Sequence, residues 1–177
     1  AEYSHFGLGG EAPILIRTAD GRVVSIAGVG TMPKAATADF FRNRPLEEWE
    51  VMQLDPGGLR GFLPVVGVLP ALVPGMVDAG LVALRDFGTK SFSEVIEPAI
   101  DLADGMPMDE IRSSSIYRSR ELLARWPDSR RHFMPEGRTP MPGEIFRRPD
   151  TARTLRAMTA AEKKALAAGK SRVEAID

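Results

Sequence analysis

The sequence predicts an α+β fold, in which strands and helices occupy separate parts of the chain. Two short apolar runs, residues 13–17 and 22–26, flank an Asp20-Gly21 dipeptide, a pair that favours a hairpin turn. From residue 74 onward the apolar spacing is that of successive helices. Because the elements do not alternate, this order favours α+β over a parallel βαβ sheet.

Length and composition limit the classes of protein. The 177 residues fit one domain, and 23 Lys+Arg against 24 Asp+Glu leave a net charge of −1, which argues against nucleic acid as a partner held by charge. No run approaches the roughly 18 apolar residues of a membrane span, so no membrane partner is expected. Without cysteine there is no disulfide framework or thiolate metal site. His5 and His132 are too far apart in sequence for a local metal-ligand pair. We expect no metal and no cofactor.

The first half of the chain is predicted to hold the strands. Both hairpin runs are apolar on consecutive positions, which predicts burial on both faces of the sheet. Thr37 can cap a short helix that reaches Phe41. Residues 42–62 mix proline, glycine and charge, which is typical of a long irregular connection. Residues 63–72 are apolar but contain two prolines, so they predict a buried strand only in part.

The first long helix is predicted from Pro74 to Phe87, with Gly88 as its natural end. Gly75 and Gly80 weaken this helix by about 1 kcal/mol each relative to alanine. Glycine in such positions indicates that another backbone packs close to it.

Three further helices follow. Residues 91–94 have the form of a capping box, and the helix after them should reach Ala103, where Pro98 is expected to kink or divide it. The next helix is predicted from Asp109 to Arg125. After a turn-rich bridge at residues 135–142, Pro149-Asp150 opens the last long helix, and residues 161–177 are a polar helix candidate.

A glycine-rich loop, residues 7–12, matches the pattern G-x-G-x-x-A. A dinucleotide site needs a strand before that pattern and a helix after it, whereas here a strand follows, so we reject that interpretation. Two alternatives remain open: a plain glycine turn, or backbone that lines a substrate pocket together with Tyr3, His5 and Glu11.

Other candidate groups favour no particular reaction. Six arginines between residues 112 and 131 resemble a basic patch, but interspersed carboxylates favour a solvated helix face. The run Ser113-Ser114-Ser115 has no histidine or lysine nearby to activate a hydroxyl. The acidic residues are scattered, without an evident acid and base pair.

Seven short motifs succeed one another between residues 7 and 158. They are Gly7–Gly10, Met32–Thr37, Val73–Gly75, Phe87–Thr89, Val95–Ile100, Phe133–Arg138, and Arg148–Asp150 leading into Thr154-Leu155. Each is unspecific alone, but in this order they resemble the large-subunit region of the gamma-glutamyltranspeptidase family, which belongs to the N-terminal-nucleophile hydrolases.

The resemblance implies a four-layer αββα sandwich and a small subunit produced when a precursor cleaves itself. A new N-terminal threonine on that subunit would be the nucleophile, with its own α-amine as the base. Thr31, Thr37 and Thr89 do not match its place in the family pattern. We therefore expect residues 1–177 to be a large-subunit fragment, incomplete at both ends, with no catalytic residue. Its expected partners are the small subunit, in a heterodimer or higher oligomer, and a small-molecule amide substrate.

One departure from the family pattern bears on specificity. The family carries an Arg-Glu pair after the second strand, and that arginine holds the α-carboxylate of the substrate, as a bidentate guanidinium does well. Those positions are Val29 and Gly30 here. We expect a substrate pocket lined by Val29, Gly30, Gly9 and Gly10, with an altered acyl specificity. The alternative is an inactive relative that acts as a binding or structural protein.

Overall fold

The computed structural model describes residues 8–45, 47, 50, 64 and 66–177. Its described residues form two units, residues 8–83 and residues 84–177. Both helices and strands are present, so the predicted α+β class is confirmed. None of the helices within the described ranges is long and apolar enough to cross a membrane.

The hairpin is confirmed in the first unit. Strand β1 (Ile14–Arg17) pairs antiparallel with β2 (Val23–Ile26), and Ile14 lies opposite Ile26. The turn places Gly21 at φ 90°, a conformation that glycine adopts without steric cost. Local turn chemistry therefore determines the strand register.

Burial on both faces of the hairpin was a wrong prediction. Burial alternates along each strand, and Leu15 and Val23 remain 76% and 67% exposed. The physical reason is that the described part of the chain covers only the face that carries Ile14, Ile16 and Val24.

Helix α1 (Ala38–Asn43) begins as predicted, because the hydroxyl of Thr37 accepts the N–H of Phe40 at 3.2 Å. Most of the connection expected over residues 42–62 lies outside the described residues. The described residues of 63–72 form bends and turns, so the partial strand expected there is wrong. Proline lacks the N–H that a strand ladder needs, which accounts for this outcome.

Helix α2 (Met76–Phe87) starts two residues after Pro74 and ends where Gly88 donates its N–H to the Leu84 carbonyl at 3.0 Å. Helix α3 (Phe92–Asp104) follows the predicted capping box and ends at Gly105. It is a single helix, so the division expected at Pro98 did not occur.

The second unit continues with elements that were only partly predicted. They are β3 (Met106–Pro107), α4 (Glu110–Leu123), α5 (Pro127–Phe133), β4 (Ile145–Phe146), α6 (Pro149–Ala167) and α7 (Arg172–Ile176). Helix α5 and the antiparallel pair β3–β4 were not predicted from the sequence. Two-residue strands carry no periodicity, so no local pattern could indicate them.

The second unit has its own core. Met108, Ile116, Met134 and Phe146 form a buried cluster, and α3 packs along α6. The strand pair β3–β4 brings Met106 opposite Phe146, so two residues that are far apart in sequence lie together at this core.

Candidate functional site

Three segments of the first unit meet through their backbones. They are the glycine loop with its end at Ala12, residues 28–31 directly after β2, and residues 73–75 directly before α2. The middle segment contains Val29 and Gly30, two of the four residues predicted to line a substrate pocket. Its surroundings are therefore the geometry on which that prediction depends.

The first contact joins the glycine loop to residues 28–31. The N–H of Ala12 donates to the carbonyl of Gly28 at 2.9 Å. Gly28 has φ 49°, and a Cβ there would lie 2.0 Å from the carbonyl oxygen of Ala12. A side chain is excluded at this position by both conformation and space, so glycine is required.

The second contact joins residues 28–31 to the start of α2. The N–H of Val73 donates to the carbonyl of Thr31 at 2.9 Å. A Cβ on Gly30 would lie 1.9 Å from the Val73 carbonyl oxygen, and a Cβ on Gly75 would lie 2.9 Å from the Gly30 nitrogen. Residues 28–31 thus lie between two neighbouring backbones.

The side chain of Val29 projects from this tightly held segment and is 49% exposed. Other exposed apolar side chains of the same region are Leu8, Met32 and Val73. Residues 28–31 and 73–75 contain no titratable side chain. These segments can orient an apolar group, but they supply no acid or base, so the hydroxyl of Thr31 has no activating partner within them.

The predicted site residues are placed as follows. Val29 and Gly30 lie in the contact just described, whereas Gly9 is exposed, and a Cβ on it would meet nothing within 4 Å. Gly10 is half-buried. A substrate-binding role for these four residues stays a prediction. Tyr3 lies outside the described residues, as does His5.

Sequence reasoning missed the role of Gly28, although the glycines on either side of Val29 were a usable signal. The close backbone approach predicted at Gly75 is confirmed. The same prediction for Gly80 is wrong, because a Cβ there would meet nothing within 4 Å. The residue type is the same at both positions, so the sequence could not show which of the two has another backbone close to it.

The second unit contains a cleft of about 640 Å³ lined by charged and apolar residues of the segment 131–150. Arg138 donates to both oxygens of Glu144, at 2.9 and 2.7 Å, and these bonds, together with the N–H of Met141, lower the pKa of Glu144 to about 2. Nε2 of His132 lies 3.2 Å from a carboxylate oxygen of Asp150. The contact of Arg138 with Glu144 is typical of a structural ion pair. Within the described ranges no cluster of three His, Asp or Glu side chains could hold a metal ion.

Three arginines of the suspected basic patch, Arg112, Arg120 and Arg131, have acidic partners. Arg120 pairs with Glu121 and Arg131 pairs with Asp128, each at 3.2 Å. Such pairs are expected on a solvated helix face. Exposed ion pairs of this kind contribute little to stability.

Comparison with known proteins identifies the family. The family model described as gamma-glutamyltranspeptidase matches residues 1–171. The chain belongs to the gamma-glutamyltranspeptidase family. It is 35% identical over 156 residues to the acylase ACY 1 proenzyme of Pseudomonas sp. strain V22, a match that covers 88% of this chain and 27% of that protein.

Two other proteins extend the comparison. The glutathione hydrolase-like YwrD proenzyme of Bacillus subtilis is 30% identical over 157 residues, which cover 86% of this chain and 27% of that protein. The crystal structure of Helicobacter pylori gamma-glutamyltranspeptidase superposes with a TM-score of 0.71 at 26% identity, over 96% of this chain and 46% of that one. The chain therefore spans about a quarter of the length of the curated relatives it matches.

Proposed function

We propose that these 177 residues belong to the large subunit of a self-processing amide hydrolase or acyltransferase. Membership of the gamma-glutamyltranspeptidase family supports this, as do the names of its relatives, which are proenzymes. The chain covers 27% of each of these two relatives, so most of such a precursor lies outside it. In this proposal residues 1–177 supply scaffold and pocket.

The nucleophile in this proposal is a threonine at the new N-terminus of a small subunit cut from the same precursor. Its hydroxyl attacks the amide carbonyl carbon, and its α-amine takes the hydroxyl proton and passes it to the departing amine as the C–N bond breaks. Water or an acceptor amine then attacks the acyl ester and releases the acid or a new amide.

The small subunit also completes the fold in this proposal. The exposed Leu15 and Val23 on the open face of the hairpin are the kind of surface that a second sheet covers. Strands of the small subunit would pack there to build the four-layer αββα sandwich of a heterodimer or higher oligomer.

The acyl specificity is proposed to differ from gamma-glutamyl. The observation that supports this is Val29, which the family resemblance matches to the carboxylate-binding arginine and which lies on a segment that contacts two other backbone segments. Valine donates no hydrogen bond, so a substrate α-carboxylate would give up its hydration without a charged partner in return. Acyl groups without an α-carboxylate avoid that penalty.

The test uses the full-length protein. Mass spectrometry should find two fragments, the smaller of which begins with threonine. Turnover of gamma-glutamyl para-nitroanilide and of other acyl para-nitroanilides should then be comparable, or should favour the others. A strong preference for the gamma-glutamyl substrate would refute the altered specificity.

A second candidate function is a binding or structural role without catalysis. The absence of the arginine at Val29 is the observation that favours it, because a relative that no longer turns over substrate has no need of that clamp. The sequence downstream of residue 177 separates the two proposals. A threonine or serine at a cleavage junction favours the enzyme, and neither residue there favours the binding protein.

A further inference from the structure

We infer that Gly75 is a positioning residue that sets acyl specificity by fixing where Val29 lies, an inference that rests on the proposed function. Gly75 belongs to the segment that leads into α2, and its backbone contacts the peptide between Val29 and Gly30. A Cβ on Gly75 would lie 2.9 Å from the Val29 carbonyl carbon and 3.1 Å from its oxygen. The absent side chain is thus what allows α2 to begin against this peptide.

Those distances are shorter than ordinary carbon contacts, and the opposing atoms are backbone atoms. A flexible side chain could rotate away from an added methyl group, but a peptide must be displaced as a unit. Residues 28–31 cannot yield freely, because Gly28 also lies against the carbonyl of Ala12 and accepts the N–H of Ala12. An added methyl group at position 75 therefore moves or tilts the segment that presents Val29.

If Val29 is displaced, the part of the pocket that contacts the acyl group changes shape. The position of the reacting amide bond does not change. The expected result is a higher KM for an apolar acyl substrate with kcat near the wild-type value, which is the signature of lost uniform binding. Because the loss is in binding of the acyl group, we expect kcat/KM for that substrate to fall by about tenfold through KM alone.

Gly80 provides a matched control in the same helix. It is exposed, and a Cβ there would meet nothing within 4 Å. Gly80→Ala raises helix propensity without touching residues 28–31. The wild type, Gly75→Ala and Gly80→Ala are compared as full-length proteins on hexanoyl para-nitroanilide and gamma-glutamyl para-nitroanilide.

The selectivity ratio between the two substrates is the decisive readout. A merely structural role for Gly75 lowers the amount of active protein, so both rates fall together and the ratio stays constant. A positioning role changes the ratio in Gly75→Ala and not in Gly80→Ala. A Val29→Ala background gives a second test, since the effect of Gly75→Ala on the ratio should shrink there if it acts through Val29.

The outcomes separate this inference from the proposed function. If the wild type hydrolyses neither anilide, the proposed function fails and the inference falls with it. If the wild type is active and Gly75→Ala keeps the wild-type ratio, only the inference is overturned. Should Gly75→Ala fail to fold, Pro74→Ala is measured instead. It loosens the same junction without added volume, so a ratio shifted about threefold supports the inference and an unchanged ratio overturns it.

Discussion

The carboxylate of Glu162 accepts the backbone N–H of Phe92 at 2.6 Å, although the two residues lie 70 positions apart. Glu162 is only 3% exposed, and it also accepts the N–H of Ser93 at 2.8 Å. A residue of α6 therefore satisfies the free N–H groups at the start of α3. Its negative charge lies where the helix dipole stabilises it.

Replacing Glu162 should loosen the start of α3. Glu162→Ala leaves buried N–H groups without an acceptor, so we expect a local cost of about 2 kcal/mol and roughly thirtyfold faster hydrogen exchange of the first-turn amides. Hydrogen exchange of the full-length protein measures this. Glu162→Gln keeps one acceptor oxygen and should lose less. Glu121→Ala, at an exposed site on α4, should leave exchange in α3 unchanged; an equal effect of both alanine variants would contradict the assignment.

Acid should weaken the loop that carries Arg138. The bonds from Arg138 lower the pKa of Glu144 from its ordinary 4.5 to about 2 in the folded protein. A lowered pKa contributes stability that is complete above the unfolded value, near 4.5, and is lost as pH falls toward 2. The Tm difference between the wild type and Glu144→Gln should thus be largest near neutral pH and should shrink below pH 4.5. A difference that grows with acid would refute this.

Two glycines of the candidate site should respond differently to alanine. Gly30→Ala places a methyl group against the Val73 carbonyl, at a position 1.9 Å from its oxygen, so the backbone must shift. We expect a cost of about 1–3 kcal/mol, as for overpacked cores. Gly9→Ala meets open space and should change stability by about 0.5 kcal/mol or less. Thermal unfolding of both full-length variants decides whether the two glycines differ.

The open face of the hairpin should promote association when the 177-residue chain is expressed alone. Leu15→Lys introduces a charge at a 76% exposed site and should reduce self-association in light scattering. Ile111→Lys is the control, since Ile111 is also 76% exposed but lies on α4. A monodisperse wild-type chain, or equal improvement by both variants, would show that the hairpin face is not the cause.

Restoring a guanidinium should restore selectivity for gamma-glutamyl substrates. Val29→Arg offers a bidentate partner to an α-carboxylate, and we expect kcat/KM for gamma-glutamyl para-nitroanilide to rise about tenfold over the other acyl substrates. Val173→Arg adds the same charge to a side chain of similar exposure, 47% against 49%, on α7 of the second unit. Only the first variant should change selectivity; an equal shift in both would indicate a general effect of charge.

Several elements could be predicted from local chemistry alone. The Asp20-Gly21 turn, the Thr37 cap and the Ser91–Glu94 capping box each depend on hydrogen bonds between residues at most four apart. Such interactions are available to a short peptide segment, so the residue types were enough. The order of short motifs was likewise sufficient to predict the family, which the match over residues 1–171 then established.

Other features depend on which surfaces meet. Gly75 and Gly80 look alike in sequence, yet only Gly75 has another backbone against it. The pairing of Met106 with Phe146 and the contact of Glu162 with Phe92 join residues far apart in the chain. The open face of the hairpin is another such feature. An apolar run indicates that its side chains favour burial, but it does not indicate which element covers them. Which surfaces pack together depends on the fold of the whole chain, so these contacts follow only from the tertiary structure.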